Sequence, residues 1–192
     1  MLISRKRVWK EIRDWGLLLA LLGLLFASGA HIYLQRAILY TGWFNPKPTP
    51  NTQMPPASYD LLLQDAQGNL FSLGELKSKV VFLNFWATWC PPCVAEMPGI
   101  QAAYEQTHSD KVVFVMISLD EDPARAEHFI QKNGYTFPLY FLAGQVPSAY
   151  EGNSIPRTYV ISPEGQIASQ QTGMGNYGNP GFKKFLRALG QP

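Results

Sequence analysis

The chain has 192 residues, 46% hydrophobic and 13% aromatic, enough for one buried domain plus an appendage. Its net charge of +2 is uneven: residues 1–36 hold six Lys/Arg against Glu11 and Asp14, leaving −2 for the remainder. A slightly acidic body lacks the footprint of a nucleic-acid binder, and two cysteines supply neither a disulfide framework nor a Cys-only zinc site.

Residues 1–14 are basic, and an apolar stretch from Trp15 to about Leu34 follows, close to the ~20 residues that span a bilayer as a helix. The pattern predicts a single transmembrane anchor over residues 15–36. Basic residues before it, and Arg36 alone just after it, place the N-terminus in the cytoplasm and the rest outside the inner membrane. Trp15 suits the near interface, and Tyr33, Tyr40, Trp43 and Phe44 the far one. The competing expectation is a cleaved signal peptide with Leu17–Phe26 as its apolar core and Ser28-Gly29-Ala30 as its small-residue site. The anchor is preferred because apolar and aromatic character continues through Leu39 and Trp43. Residues 37–57 form a juxtamembrane and proline-rich linker, whose five prolines between Asn45 and Ala57 predict an extended spacer.

From residue 58 to 192 the pattern is globular. Tyr59–Gln64 and Leu70–Ser72 predict a β-hairpin, and Leu73–Lys77 a helical turn. Val80–Trp86 is an apolar run of strand length, as for a strand buried on both faces. A helix to about Thr107 follows, then a buried strand over Lys111–Ser118 and a helix over Pro123–Asn133 stopped by Gly134. Phe137–Leu142 is strand-like, Gly144–Gly152 a short helix, Thr158–Ile161 and Gln166–Thr172 a second hairpin, and Phe182–Leu189 a closing helix. Strands alternating with helices predict an α/β sandwich with a mixed central sheet.

Cys90 and Cys93, separated only by Pro91 and Pro92, sit where the first long strand gives way to a helix. A thiol at a helix start sees unpaired N–H groups and the positive end of the macrodipole, which favours its thiolate. Cys-x-x-Cys spacing alone also supplies half of many zinc sites. Proline at position 92 removes an N–H that could face Cys90 sulfur, so the thiolate is only modestly stabilised and a reductant is favoured over a strong oxidant. Glu96, one turn after Cys93, shares the cysteines' face of the helix. It is either a proton carrier for the pair or a solvated first-turn carboxylate.

Phe85-Trp86-Ala87-Thr88-Trp89-Cys90-Pro91-Pro92-Cys93, Pro98 and Ile155-Pro156 before a strand resemble the thioredoxin superfamily. The N-terminal anchor, Glu96-Met97-Pro98, Ile117-Ser118-Leu119-Asp120 and Ile155-Pro156-Arg157-Thr158-Tyr159-Val160-Ile161 resemble its TlpA/ResA-like branch of extracytoplasmic thiol-disulfide oxidoreductases. The resemblance covers about Ala57 to Gln191. It implies a thioredoxin-like fold carrying the first hairpin as an N-terminal extension, with Cys90 as the exposed attacking thiolate and Cys93 as the buried resolving thiol. Asn84 stands where relatives carry an Asp, and the resemblance gives its proton-transfer role to Glu96. Pro156 matches the family's cis-proline, which leaves the backbone of Ile155 to pair with a client, while Trp89 borders the substrate surface and Trp86 is core. No cofactor or metal is implied. The implied partners are exported disulfide proteins, among them apocytochrome c, and a membrane dithiol donor. A copper chaperone on the same fold is the alternative, weakened by the spacing of the cysteines and by the lack of any His after His128. A structural disulfide in a passive domain would not need the helix start or the two tryptophans.

Overall fold

All seven residues of β3 (Val80–Trp86) are buried, and its side chains alternate between two separate cores. Val80, Phe82 and Trp86 enter one core, while Val81, Leu83 and Phe85 enter the other. The computed structural model describes residues 5–39, 41–49 and 55–191; residues 1–4 of the basic segment, Tyr40, residues 50–54 of the linker and Pro192 lie outside the described residues.

Around β3 the chain lays down β1 (Leu62–Asp65), β2 (Leu70–Ser72), α3 (Pro91–Thr107), β4 (Val112–Ser118), α4 (Pro123–Asn133), β5 (Leu139–Leu142), β6 (Arg157–Ile161), β7 (Ile167–Thr172) and α5 (Pro180–Leu189). The seven strands form one sheet in the order β2-β1-β5-β4-β3-β6-β7. Strands β3, β4 and β5 run parallel, and the outer pairings are antiparallel, so the sheet is mixed as expected. Crossovers through α3 and α4 make the parallel pairs possible. The first hairpin is closed by the Asp65 carboxylate, which accepts from the Gln67 and Asn69 amides at 2.9 and 2.8 Å. The helix expected over 144–152 is a single 3-10 turn at Ser148–Tyr150.

The N-terminal stretch differs from the expected single span. It divides into α1 (Arg5–Ala27) and α2 (Ala30–Leu39), whose axes bend by 76°. The break falls at Ser28-Gly29, where Gly29 takes a left-handed φ of 70° and ends α1. Among the described residues no single helix is long and apolar enough to cross a membrane; the bent pair meets that test by length and composition only. Helix α2 lies against α3, with Leu39 buried.

The described linker residues 47–49 and 55–57 follow the domain. Thr49 N donates to Ala168 O at 2.7 Å, Ser169 Oγ to Lys47 O at 2.8 Å, and Ile167 N to Pro55 O at 2.9 Å. Pro48 and Pro56 bridge to Ser169 and Gln166, so a proline-rich segment covers the outer edge of β7, a position that tolerates residues without an N–H.

Candidate active site

The redox pair sits at the carboxyl end of β3, where α3 begins. Cys90 is the N-cap of α3 and is joined to Cys93 by a disulfide. Pro91 and Pro92 occupy the first helical positions, for which proline's fixed φ is suited. Neither has an N–H, so the helix start offers Cys90 Sγ one donor, the Cys93 amide at 3.3 Å. Cys93 is fully buried as expected, whereas Cys90, expected to be exposed, is itself largely buried in this disulfide form, with 5% exposure where it lines a surface groove.

That groove, about 460 Å³ in volume, runs between Trp89, Pro92 and Leu119 on one side and residues 152–155 on the other. The Ile155–Pro156 peptide is cis, and the Ile155 carbonyl oxygen lies 3.8 Å from Cys90 Sγ. Trp89 is 62% exposed on the rim, whereas Trp86 is fully buried against Phe129. The loop between β3 and the cysteines is held by Asp120, whose carboxylate accepts from Thr88 N at 3.0 Å and from Ser118 Oγ at 2.8 Å.

Glu96 is buried, with 1% exposure, which removes the reading of it as a solvated first-turn carboxylate. Strand alternation explains its partner: Asn84 shares the parity of Phe82 and Trp86 and therefore points toward α3. Asn84 Nδ2 donates to Glu96 Oε1 at 3.0 Å and to Thr158 Oγ1 at 2.8 Å, Thr158 being its register partner on β6. Gly175 N donates to Glu96 Oε2 at 3.0 Å. Burial pushes the Glu96 carboxyl up to about 8; the Gly175 and Asn84 hydrogen bonds oppose the shift without cancelling it. In this disulfide form Glu96 therefore holds its proton at neutral pH, one helical turn from Cys93. The Tyr177 phenol, buried beside it, is raised for the same reason, desolvation first and the Glu96 charge second.

One group that sequence alone did not mark holds this carboxyl, the Gly175 amide. A Cβ at Gly175 would lie 2.6 Å from Tyr177 Oη, so only glycine brings that amide to Glu96 while Tyr177 fills the core. Gly175→Ala is expected to cost roughly 1–3 kcal/mol by overpacking and to weaken the bond to Glu96; chemical denaturation checks the first and the Glu96 titration the second. On the outer side α2 closes over the site, leaving a cavity of about 10 Å³ between Arg36, Leu39, Glu96 and Gly175, space for one water at most. Asp120 and Thr158 lay within the quoted sequence motifs, but their contacts depend on strand register. Among the described residues no group of three His, Cys, Asp or Glu converges on a metal-sized site.

This arrangement defines a dithiol/disulfide exchange centre: a redox pair at a helix start, one sulfur open to a groove, the other beside a buried acid. The family described as Redoxin matches residues 48–186, and the chain belongs to it. Its similarity is to thiol-disulfide oxidoreductases. It is 29% identical to ResA of Halalkalibacterium halodurans over 171 residues, 88% of this chain and 89% of that one. It is 36% identical to ResA of Bacillus subtilis over 115 residues, 59% of this chain and 64% of that protein. StoA from Bacillus subtilis superposes with a TM-score of 0.55 at 27% identity, over 71% of this chain and the whole of that one. The fold, the pair and these relatives together make the chain a thioredoxin-like thiol-disulfide oxidoreductase.

Proposed function

We propose that the protein is a membrane-anchored, extracytoplasmic reductant of disulfides in exported proteins, with apocytochrome c a fitting client. The observation that carries the direction is the single N–H at Cys90 Sγ. A thiolate with few donors is weakly stabilised, and a dithiol form that is not favoured gives its electrons readily. The Cys90 thiolate attacks a client disulfide, forming a Cys90–client mixed disulfide and releasing one client thiolate. The Glu96 carboxylate, left ionised when Glu96 gave its proton to the Cys93 sulfur during reduction of the pair, takes that proton back. The Cys93 thiolate then attacks Cys90 Sγ, the second client sulfur leaves as a thiolate that is protonated by water, and the Cys90–Cys93 disulfide forms. A membrane dithiol returns the pair to its reduced state. The client's extended main chain pairs at Ile155, beside cis-Pro156, with Trp89 against its side chains.

The apolar bent pair of helices and the basic residues before it support the anchor and its orientation. In this reading the N-terminus is cytoplasmic, the domain faces outward, and the docked linker sets it close to the bilayer.

A redox titration of the full chain in detergent tests the direction. The potential is expected near the reducing end typical of thioredoxin, about −270 mV; a value near −120 mV overturns the assignment as a reductant.

A further inference from the structure

Arg157 follows the cis-proline and is 7% exposed, an unusual burial for an arginine. Among the described residues no carboxylate pairs with it. Its parity on β6 is opposite to that of Thr158, so it points away from Glu96 and into the second core, where its guanidinium carbon lies 5.1 Å from the centre of the Phe85 ring. Its Nη1 donates to main chain instead, to Gly152 O at 2.6 Å and to Ser154 O at 2.8 Å, while the buried Nε has no hydrogen-bond partner among the described residues. Gly152 is moulded to it in turn, since a Cβ there would lie 2.9 Å from Arg157 Cδ.

These contacts share one consequence. Residues 152–155 have no regular secondary structure, yet they form the groove wall that ends in the Ile155 carbonyl, 3.8 Å from Cys90 Sγ. We propose that Arg157 is the positioning residue that holds Gly152–Ile155 as a fixed rail, and that this rail sets the affinity for polypeptide disulfides. Two charge-assisted bonds from one planar group fix two carbonyls against each other, and the stacked Phe85 ring fixes the group itself. A loop ordered in advance spares a client the entropy of ordering it, so the loss appears in binding before chemistry. The inference rests on the pairing at Ile155 proposed above.

The test uses the full chain in detergent micelles, with insulin as the polypeptide disulfide. Arg157→Met keeps an unbranched stem against Phe85 and removes the donors; Gly152→Ala displaces the rail and leaves Arg157 in place. Both are expected to raise KM about 10-fold with kcat changed less than about 3-fold. Amide hydrogen exchange over residues 152–155 is expected to accelerate by about 10-fold or more in each, while exchange in β3 stays at the native rate. Unchanged exchange over 152–155 overturns the role of Arg157, and equal losses in kcat and KM overturn a role confined to binding. Faster exchange with an unchanged KM overturns the pairing at Ile155. If Arg157→Met does not fold, Gly152→Ala carries the same readouts.

Discussion

Cys93→Ser is expected to accumulate mixed disulfides with exported proteins, whereas Cys90→Ser accumulates none. Non-reducing gels of each full-length variant, followed by identification of the trapped chains, check this. The asymmetry follows from placement: Cys90 borders the groove as the helix N-cap, while Cys93 is fully enclosed behind it. An enclosed sulfur cannot open a bulky client disulfide, but it can attack the bond already formed by its neighbour. Both substitutions lower turnover by roughly 10³-fold or more, because the two thiols act as a unit. Equal trapping by both variants would contradict the assigned order of attack.

Glu96→Gln is expected to abolish the fall of stability with rising pH and to remove a kinetic inflection near pH 8. In the folded protein the carboxyl keeps its proton up to about 8, against an ordinary value of 4.5. A raised value means that the native state holds the proton more tightly than the unfolded chain. Its contribution is therefore full below the ordinary value and is lost as pH rises through about 8, by on the order of 5 kcal/mol at most. Thermal unfolding of the wild type should fall by several degrees between pH 5 and 9, while the glutamine variant stays nearly level and becomes the more stable of the two above pH 8. During reduction of the enzyme disulfide, protonated Glu96 supplies a proton to the departing Cys93 sulfur, so the wild-type rate, corrected for ionisation of the attacking thiol, drops above pH 8. Superimposable rate profiles would leave Glu96 a structural acid.

These expectations depend unequally on what the chain shows when read as a string. The Cys90-Pro91-Pro92-Cys93 run, the uninterrupted apolar strand before it and the proline that follows Ile155 were legible because each is a local signal. The same holds for the hairpin at Asp65–Asn69 and the stop at Gly134, where side-chain and backbone preferences act within a few residues. Glu96 was legible by its spacing from Cys93, but its burial was not. That burial comes from Asn84 on β3, Thr158 on β6 and Gly175 after β7, together with α2 on the outside. No window along the chain contains these elements together.

The N-terminal segment shows the opposite failure. Its hydropathy reads as one continuous span, while the Ser28-Gly29 break, a two-residue feature, divides it into α1 and α2. Averaging over a window conceals a backbone break that one left-handed glycine suffices to make. The described linker residues that run along β7 follow the unpaired edge they cover.

By itself, then, the sequence determined the chemistry available: two thiols at a helix start with two prolines between them, an acid one turn on, and a fold of alternating strands and helices to carry them. These follow from residue type and short spacing, which the chain carries wherever it goes. Only the tertiary structure decided how that chemistry is tuned. Glu96 holds its proton at neutral pH because four separate segments exclude water from it, and Arg157 meets the 152–155 wall because strand parity turns it away from Glu96. Desolvation and register are properties of what surrounds a residue, and those surroundings are assembled from parts of the chain that are distant in sequence.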